Sequence, residues 1–282
     1  MIRRTLAAAL LACALTTLAV PAAEGPAEGK DRFPPFQPLE IKLTEGERLT
    51  YEIKWGAVDA GEAVMSVKRK VQPLPGKPEV WNVQCETRSN SFVSMFYEVR
   101  DDIKTLIDAK EGFSRSFDIK KNEGSYHGSE QIEFDYDRNL ANYTRISKGT
   151  LSDKIRRKDI PIPGKVSDPL SCLYYIRGLD LKPGSESQLT VNTDRKNWVL
   201  TLKVLGSEKL DLKGLGRFNA LVVEPEAQFQ GLFVRKGKMT VWLDEKTRIP
   251  LKMKVDIPIG SATATLVKAE DSALALDSGK RK

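Results

Sequence analysis

The sequence predicts an all-β protein: a strongly curved antiparallel sheet or barrel-like meander, with one short helix at about residues 168–178 covering it. Three observations predict this fold. Apolar and polar residues alternate with a period of two in segments spread along the chain, short turn signals separate these segments, and only one segment has a clear helical pattern. Since helices do not alternate with strands, a doubly wound parallel sheet is excluded.

Residues 1–23 are predicted to be a secretory signal peptide. Arg3 and Arg4 precede an apolar run, Thr5–Val20, which ends in small residues. At about 15 residues this run is shorter than the ~20 residues that span a bilayer as a helix. Residues 10–13 resemble a lipoprotein acylation site, but the apolar run continues past Cys13, so lipid anchoring at Cys13 is disfavoured. We therefore expect export to the periplasm.

The exported part is expected to have three sections. Residues 24–42 are rich in Pro and Gly, have no period and are predicted to form an extended leader. Residues 43–270 are predicted to form one β domain, because strand patterns occur along their whole length. Residues 271–282 are predicted to form a polar tail.

The first strand has the clearest pattern. Tyr51, Ile53 and Trp55 alternate with polar residues, which places one face on a core and the other in water. The same alternation recurs in residues 81–85, 132–136, 198–204, 239–243 and 251–257. Gly- and Pro-containing turns between strands, such as 75–78, 110–112 and 182–184, are short and favour antiparallel hairpins.

The helix is predicted to begin after Asp168. Asp is a favoured N-cap, Pro169 suits the first helical position, and Gly178 can end the helix. Leu170, Leu173, Tyr174 and Arg177 fall on one face of it. A shorter helical turn is expected within residues 91–97.

Three spaced motif groups carry a family resemblance. They are Gly46-Glu47-x-Leu49-x-Tyr51-x-Ile53-x-Trp55 with Ala60-Gly61-Glu62-Ala63; Asp168-Pro169-Leu170-Ser171 with Tyr174, Tyr175 and Arg177; and Val241-Trp242-Leu243-Asp244 with Arg248-Ile249-Pro250 and Ile259-Gly260-Ser261. In this order, over roughly residues 43–268, they resemble the bacterial domain of unknown function 3108 family. The resemblance implies an exported, predominantly β protein and supplies no catalytic residues.

The composition disfavours several function classes. The chain has one histidine and three cysteines, so no zinc-ligand spacing is present and no cofactor is expected. The formal net charge is +7, and Lys154, Arg156, Arg157 and Lys158 form the densest basic cluster. Because an exported protein rarely meets nucleic acid and no recognition motif accompanies the cluster, nucleic-acid binding is not expected.

Catalytic arrangements are poorly supported. The lone His127 lies in a Gly-flanked segment, and no Gly-x-Ser-x-Gly motif is present. Glycosidase-like carboxylate pairs would have to come from Asp101 and Asp102, or from Glu133, Asp135 and Asp137. The second set alternates with apolar residues, which is typical of a solvated strand face.

Cys85 and Cys172 remain after removal of the signal peptide. An oxidising compartment permits a disulfide between them, but the sequence does not reveal their distance, so paired and free thiols both stay open.

The remaining candidate site is the concave face of the curved sheet. A hydrophobic ligand there would contact aromatic side chains at alternate strand positions, namely Tyr51, Trp55, Trp81, Phe134 and Trp198. The alternative is that these side chains fill a core. We therefore expect a non-enzymatic periplasmic envelope protein that binds a lipid or other hydrophobic ligand, or an envelope protein partner. An outer-membrane β-barrel and, with less support, an envelope hydrolase are the alternatives.

Overall fold

The computed structural model describes residues 33–72, 78–148, 152–229, 232–233, 238–256 and 260–274. The predicted signal peptide, Cys13 and most of the predicted polar tail lie outside these residues. The strands are β1 (Arg48–Trp55), β2 (Val58–Val71), β3 (Val80–Ser89), β4 (Arg100–Asp108), β5 (Ser114–Glu123), β6 (Tyr126–Asp135), β7 (Leu140–Ser147), β8 (Lys154–Pro161), β9 (Glu186–Thr193), β10 (Lys196–Leu212), β11 (Gly216–Phe229), β12 (Leu232–Phe233), β13 (Met239–Asp244), β14 (Pro250–Asp256) and β15 (Ser261–Glu270). The helices are α1 (Ser91–Ser94) and α2 (Pro169–Tyr175), and a 3₁₀ turn, Ile176–Gly178, follows α2.

The strands form one antiparallel sheet, which confirms the predicted all-β fold. Its order is β8-β7-β6-β5-β4-β3-β2-β1-β15-β14-β13-β11-β10-β9, and β12 pairs with β11. Because each strand runs antiparallel to its neighbours, successive connections lie at opposite ends of the sheet. The connections β1–β2, β3–β4, β5–β6, β7–β8, β9–β10 and β14–β15 share the end that carries α1, which we call the α1 end.

The edge strands β8 and β9 are drawn together by side chains. The Tyr143 hydroxyl of β7 donates a hydrogen bond to Asn192 Oδ1 of β9 at 2.7 Å. Asn192 Nδ2 donates to Asn197 Oδ1 at 2.7 Å, and Asn197 Nδ2 donates to the Pro161 carbonyl at the end of β8 at 2.8 Å. These bonds join the two edges of a curved sheet whose strand ladder does not close.

Helix α2 forms where the sequence predicts it and packs on the sheet. Asp168 caps it, Pro169 is its first residue, and all its residues are buried. Its neighbours include β4 and β9. The helix therefore covers apolar surface of the sheet, as expected.

Part of the predicted leader packs on the domain. Ile41 is buried, the Phe36 ring lies 5.3 Å from that of Tyr175, and the Tyr175 hydroxyl donates to the Gln37 carbonyl at 2.6 Å. Residues 34–43 have no regular secondary structure. The sequence does not predict these contacts, because this segment has no periodic pattern of apolar residues.

Candidate functional site

Three of the five predicted ligand-face residues lie in a packed core. Tyr51, Phe134 and Trp198 are all buried, and the Tyr51 hydroxyl donates to the Pro250 carbonyl at 2.9 Å. Trp55 and Trp81 are half-buried, and the Lys70 ammonium lies 5.2 Å from the Trp81 ring centre. None of these five side chains lines either of the two cavities described below.

Cys85 and Cys172 are free thiols in the core. Cys172 Sγ donates to the Pro169 carbonyl at 3.2 Å. Burial raises the pKa of Cys85 to about 12 and also raises the pKa of Cys172. The structure thus contains no disulfide between them, and both thiols are too buried and too weakly acidic to be nucleophiles.

The carboxylates considered for catalysis do not form an acid–base pair. Asp102 pairs with Arg88, and Asp135 pairs with Arg138 at 2.6 Å. Asp101 is buried, while Glu133 and Asp137 are exposed. His127 is exposed, and its Nδ1 lies 3.0 Å from Asn122 Oδ1. Among the described residues, no group of three or more His, Cys, Asp or Glu is placed to hold a metal ion.

Exposed apolar side chains are concentrated at the α1 end. Of the eight exposed large apolar side chains in the described ranges, six lie there: Val58, Phe92, Met95, Phe96, Tyr126 and Ile155. The other two are Leu205 and Val267. Met95 and Phe96 are 72% and 78% exposed, and the Phe92 and Phe96 rings lie 5.7 Å apart. Such a concentration of exposed apolar surface is typical of an interaction site.

Local sequence explains how α1 presents these side chains. Asn90 caps the helix, since its side chain accepts a hydrogen bond from the Val93 N–H at 2.9 Å, and its Nδ2 donates to the Asp59 carbonyl at 2.7 Å. Val93 packs against the core. One turn of helix is thus fixed at the end of β3, and the side chains of Phe92 within it and of Met95 and Phe96 directly after it are exposed.

A basic segment lies at the same end. Lys154, Arg156, Arg157 and Lys158 are all exposed at the start of β8, an edge strand. None of them forms a salt bridge with another described residue. The α1 end therefore combines apolar and cationic groups.

A small polar cavity opens inside the α1 end. We call it the mouth pocket; its volume is about 60 Å³, and its lining includes Phe117, Ile119, Lys121, Glu130, Arg145 and Asp194. Phe117 and Ile119 are buried and form an apolar floor. Burial raises the pKa of Glu130, while Arg145 opposes that rise. The sequence pattern does not predict this pocket, although Lys121, Glu130 and Arg145 occupy inward strand positions, where alternation normally places apolar residues.

A wider depression of about 640 Å³ lies across β3 to β6. Its side chains include Glu86, Arg88, Lys104, Asp118 and Lys120. Acids and bases alternate across it, which is typical of a solvated sheet face.

No helix in the described ranges has the length and apolar character needed to cross a bilayer.

Comparison with known proteins identifies a family and a fold. The family model described as "Protein of unknown function (DUF3108)" matches residues 50–267. No curated protein matches the chain. A crystal structure of a beta-barrel-like protein of domain of unknown function DUF1849 from Brucella abortus has a TM-score of 0.54 at 12% identity, and the alignment covers 82% of this chain and 98% of that one. This similarity supports a barrel-like fold.

Two further structures align with lower scores. A protein from Bacteroides fragilis, named as exported and with a YmcC-like fold, gives a TM-score of 0.31 at 10% identity, with 83% of this chain and 99% of that chain covered. A protein from Parabacteroides distasonis named as a lipoprotein gives a TM-score of 0.34 at 10% identity, with the same two coverages.

Proposed function

We propose that this chain, which belongs to the DUF3108 family of proteins of unknown function, is an exported, non-enzymatic cell-envelope protein. In this proposal the protein binds a lipid bilayer surface through its α1 end. The observation that carries the proposal is the concentration of exposed apolar side chains at that end. The signal-like sequence of residues 1–23 supports export.

The geometry favours a surface-bound lipid over one held inside the sheet. Tyr51, Phe134 and Trp198 are covered by the protein's own atoms, so an acyl chain would have to displace packed core. Phe92, Met95 and Phe96, in and directly after α1, are instead exposed. Because these side chains project outward, their partner has to be either soft or concave. A bilayer interface is soft, so it can accommodate these side chains without having a matching shape.

The energies are sufficient for reversible attachment. Transfer of a Phe or Met side chain from water to an apolar environment is worth about 1.5–3 kcal/mol. Basic side chains near the surface add about 1 kcal/mol each when anionic lipid is present. The exposed cations of β8 therefore supply attraction to head groups while Phe92, Met95 and Phe96 enter the interface.

The test is sedimentation of the protein, without its predicted signal peptide, with vesicles of phosphatidylethanolamine and phosphatidylglycerol. We expect binding, and we expect the double variant Phe92→Ser, Phe96→Ser to bind at least about tenfold more weakly, because the two rings together lose more than about 1.4 kcal/mol. Leu205→Ser is the matched control, since Leu205 is 57% exposed away from the α1 end. Failure of the parent protein to sediment, or equal losses in the double variant and the control, would exclude the proposal.

A further inference from the structure

The two edge strands of the sheet differ in how far their outer edges are covered. The chain that follows β8 crosses to β9, where the Ser167 N–H donates to the Thr190 carbonyl at 3.0 Å and the Ser167 carbonyl accepts the Asn192 N–H at 2.8 Å. Among the described strands, β8 itself pairs with β7 alone. Its residues 154–159 are all exposed. β8 is therefore an open edge over most of its length.

Two hydrogen bonds show which backbone groups of β8 point outward. The Ile162 N–H, directly after β8, donates to the Asn139 carbonyl at 3.0 Å, on the side of β7. The Pro161 carbonyl instead accepts a hydrogen bond from Asn197 Nδ2 at 2.8 Å, on the side away from β7. Because backbone groups point to alternate sides along an antiparallel strand and the β7–β8 register has no shift, every second residue before Pro161 also faces away from β7. These outward-facing residues are Ile155, Arg157 and Asp159.

The outward backbone groups form a row that a further strand would satisfy. In the part of the chain that the structure describes, no backbone–backbone hydrogen bond joins the N–H or C=O of Ile155, Arg157 or Asp159 to another strand or loop. An extended peptide presents carbonyls and N–H groups with the same spacing, so it can pair with the whole row. A lipid head group has no such row of donors and acceptors. The edge therefore favours a polypeptide strand.

The charges of β8 select the kind of strand that can be added. Lys154, Arg156 and Lys158 lie on one face of β8. Arg157 lies on the other face, and Asp159 is the single acid of the strand. Pairing of two copies of this edge would bring cations close to cations, which is destabilising, so a second copy of β8 is disfavoured. A strand with carboxylates at alternate positions would instead place them beside the cations.

One pair within the sheet also favours an acidic partner. Arg156 of β8 lies directly opposite Arg145 of β7, and like charges in this position repel each other. Arg145 has a carboxylate, Glu130 of β6, opposite it on its other side. Arg156 has no strand on its other side among the described residues. A carboxylate on an added strand would give Arg156 the neighbour that Glu130 gives Arg145.

We propose that the outer edge of β8 binds an extended acidic segment of a partner protein, which adds to the sheet as a further strand. Its backbone pairs with the outward backbone groups of β8, and its carboxylates at alternate positions face Lys154, Arg156 and Lys158. This inference goes beyond the membrane proposal, because it depends on the backbone edge of β8 and not on Phe92 and Phe96.

Short peptides test the edge without a membrane. The probe is a peptide as long as β8, eight residues of alternating Glu and Thr with both ends blocked. One control peptide has Lys in place of Glu, and a second keeps every Glu but is N-methylated at each residue, so it cannot donate backbone hydrogen bonds. We expect isothermal titration calorimetry to show that the probe binds at least about tenfold more tightly than either control peptide.

Hydrogen exchange locates the bound peptide. The probe should slow exchange at the outward N–H groups of Ile155, Arg157 and Asp159 and leave exchange at residues 154, 156 and 158 unchanged, because those N–H groups already face β7. Equal affinity for the probe and its N-methylated form would show that charge attraction alone binds the peptide and would overturn strand addition. Absence of probe binding, or unchanged exchange at all of these residues, would overturn it as well.

Two substitutions at one position separate the backbone from the charge. Arg157→Pro removes an outward N–H and the cation, whereas Arg157→Gln removes the cation and keeps the N–H. Since the Arg157 N–H faces away from β7, proline removes no bond of the β7–β8 pair, and thermal unfolding checks that both variants keep the fold. We expect Arg157→Pro to bind the probe at least about tenfold more weakly than Arg157→Gln. Lys209→Gln, at an exposed position of β10, is the control for loss of one positive charge. Equal affinities of Arg157→Pro and Arg157→Gln would contradict the proposal.

Vesicles separate this inference from the proposed function. The Phe92→Ser, Phe96→Ser variant should lose vesicle binding and keep its affinity for the peptide probe. If the parent protein binds vesicles but not the peptide, the strand proposal fails and the membrane proposal stands. If the parent protein binds the peptide but no vesicles, the membrane proposal fails and the strand proposal stands.

Discussion

Asp101 is a residue whose ionisation is strongly controlled by its surroundings. It is buried on the inner face of β4, and its Oδ1 accepts a hydrogen bond from the Asn122 N–H at 3.0 Å. Burial, and secondarily the negative charge of Glu123, raise the pKa of Asp101 to about 7 from 3.8. The folded protein therefore holds a proton that the unfolded chain has already lost at pH 5.

This pKa predicts that Asp101 makes the folded state less stable as pH rises. Its contribution is fully present below pH 3.8 and is lost as pH rises to about 7, because the unfolded state binds fewer protons over that range. We expect Asp101→Asn, which keeps an acceptor for the Asn122 N–H and removes the charge, to flatten the pH dependence of the unfolding free energy. At pH 8 the variant should be more stable than the parent protein by about 1 kcal/mol or more. Urea unfolding at pH 5 and pH 8 measures this.

Asp137→Asn is the control for that experiment, because Asp137 is exposed. It should leave the difference between pH 5 and pH 8 unchanged. An equally steep pH dependence in Asp101→Asn and the parent protein would show that another group titrates.

The sequence predicts which residues are inward-facing better than what they do there. Alternation correctly places Tyr51, Phe134 and Trp198 on an inner face, but it does not tell a filled core from a ligand cavity. The buried ion pair between Glu47 and Arg177, with N–O distances of 2.7 and 3.0 Å, joins residues 130 positions apart. Both residues belong to the motifs that carry the family resemblance, but no local pattern pairs them.

At the level of single elements, α2 is held by more than an ordinary N-cap. Asp168 Oδ1 accepts the N–H groups of Leu170 and Ser171 at 2.8 and 2.9 Å. Its Oδ2 accepts the hydroxyls of Thr105 at 2.5 Å and Ser114 at 2.7 Å, on β4 and β5. One carboxylate therefore starts the helix and fixes it to the sheet, entirely out of contact with water.

We expect Asp168→Ala to cost about 3 kcal/mol of unfolding free energy. An isolated N-cap is worth about 1 kcal/mol, and the variant also leaves two buried hydroxyls without their acceptor. Asn90→Ala at the half-exposed cap of α1 is the matched control and should cost about 1 kcal/mol. Chemical unfolding of both variants measures the difference; similar losses would mean that the Thr105 and Ser114 bonds contribute little.

The same contrast explains which elements the sequence predicts well. The predicted helix and its cap depend on neighbouring residues, so Asp168, Pro169 and Gly178 indicate them locally. β10, Lys196–Leu212, is longer than the alternating segment 198–204 that the sequence predicts, because the strand continues past an irregularity between Val204 and Gly206. A bulge interrupts the period of two, so alternation alone ends the strand too early.

At the level of the whole molecule, the sequence predicts a curved antiparallel sheet but not how its edges meet. Short turns make each strand pair with the next, which accounts for the β1 to β8 and β9 to β15 series. The pairing of β1 with β15 and the contact between β7 and β9 join residues far apart in the chain. The contact between β7 and β9 also brings Thr193 and Asp194 to the mouth pocket, so the sequence does not predict that cavity.

The contact of β7 with β9 leads to a prediction about closure of the sheet. The Tyr143 hydroxyl is buried, donates to Asn192 and accepts the N–H of Arg195. Tyr143→Phe removes both bonds and leaves a buried amide oxygen without its donor, so we expect a loss of about 1–3 kcal/mol. Asp194 and Arg195 form the turn between β9 and β10, and this turn loses its bond to Tyr143 in the variant, so hydrogen exchange should also quicken at residues 190–198.

Tyr51→Phe separates closure from a general loss of stability. Tyr51 also loses one buried hydroxyl bond, to the Pro250 carbonyl, but it lies on β1, far along the sheet from the seam. Its variant should lose a similar free energy without selective exchange at residues 190–198. If neither variant shows selectively faster hydrogen exchange at residues 190–198, the strand ladder alone, without the Tyr143 contact, sets the position of the β9–β10 hairpin.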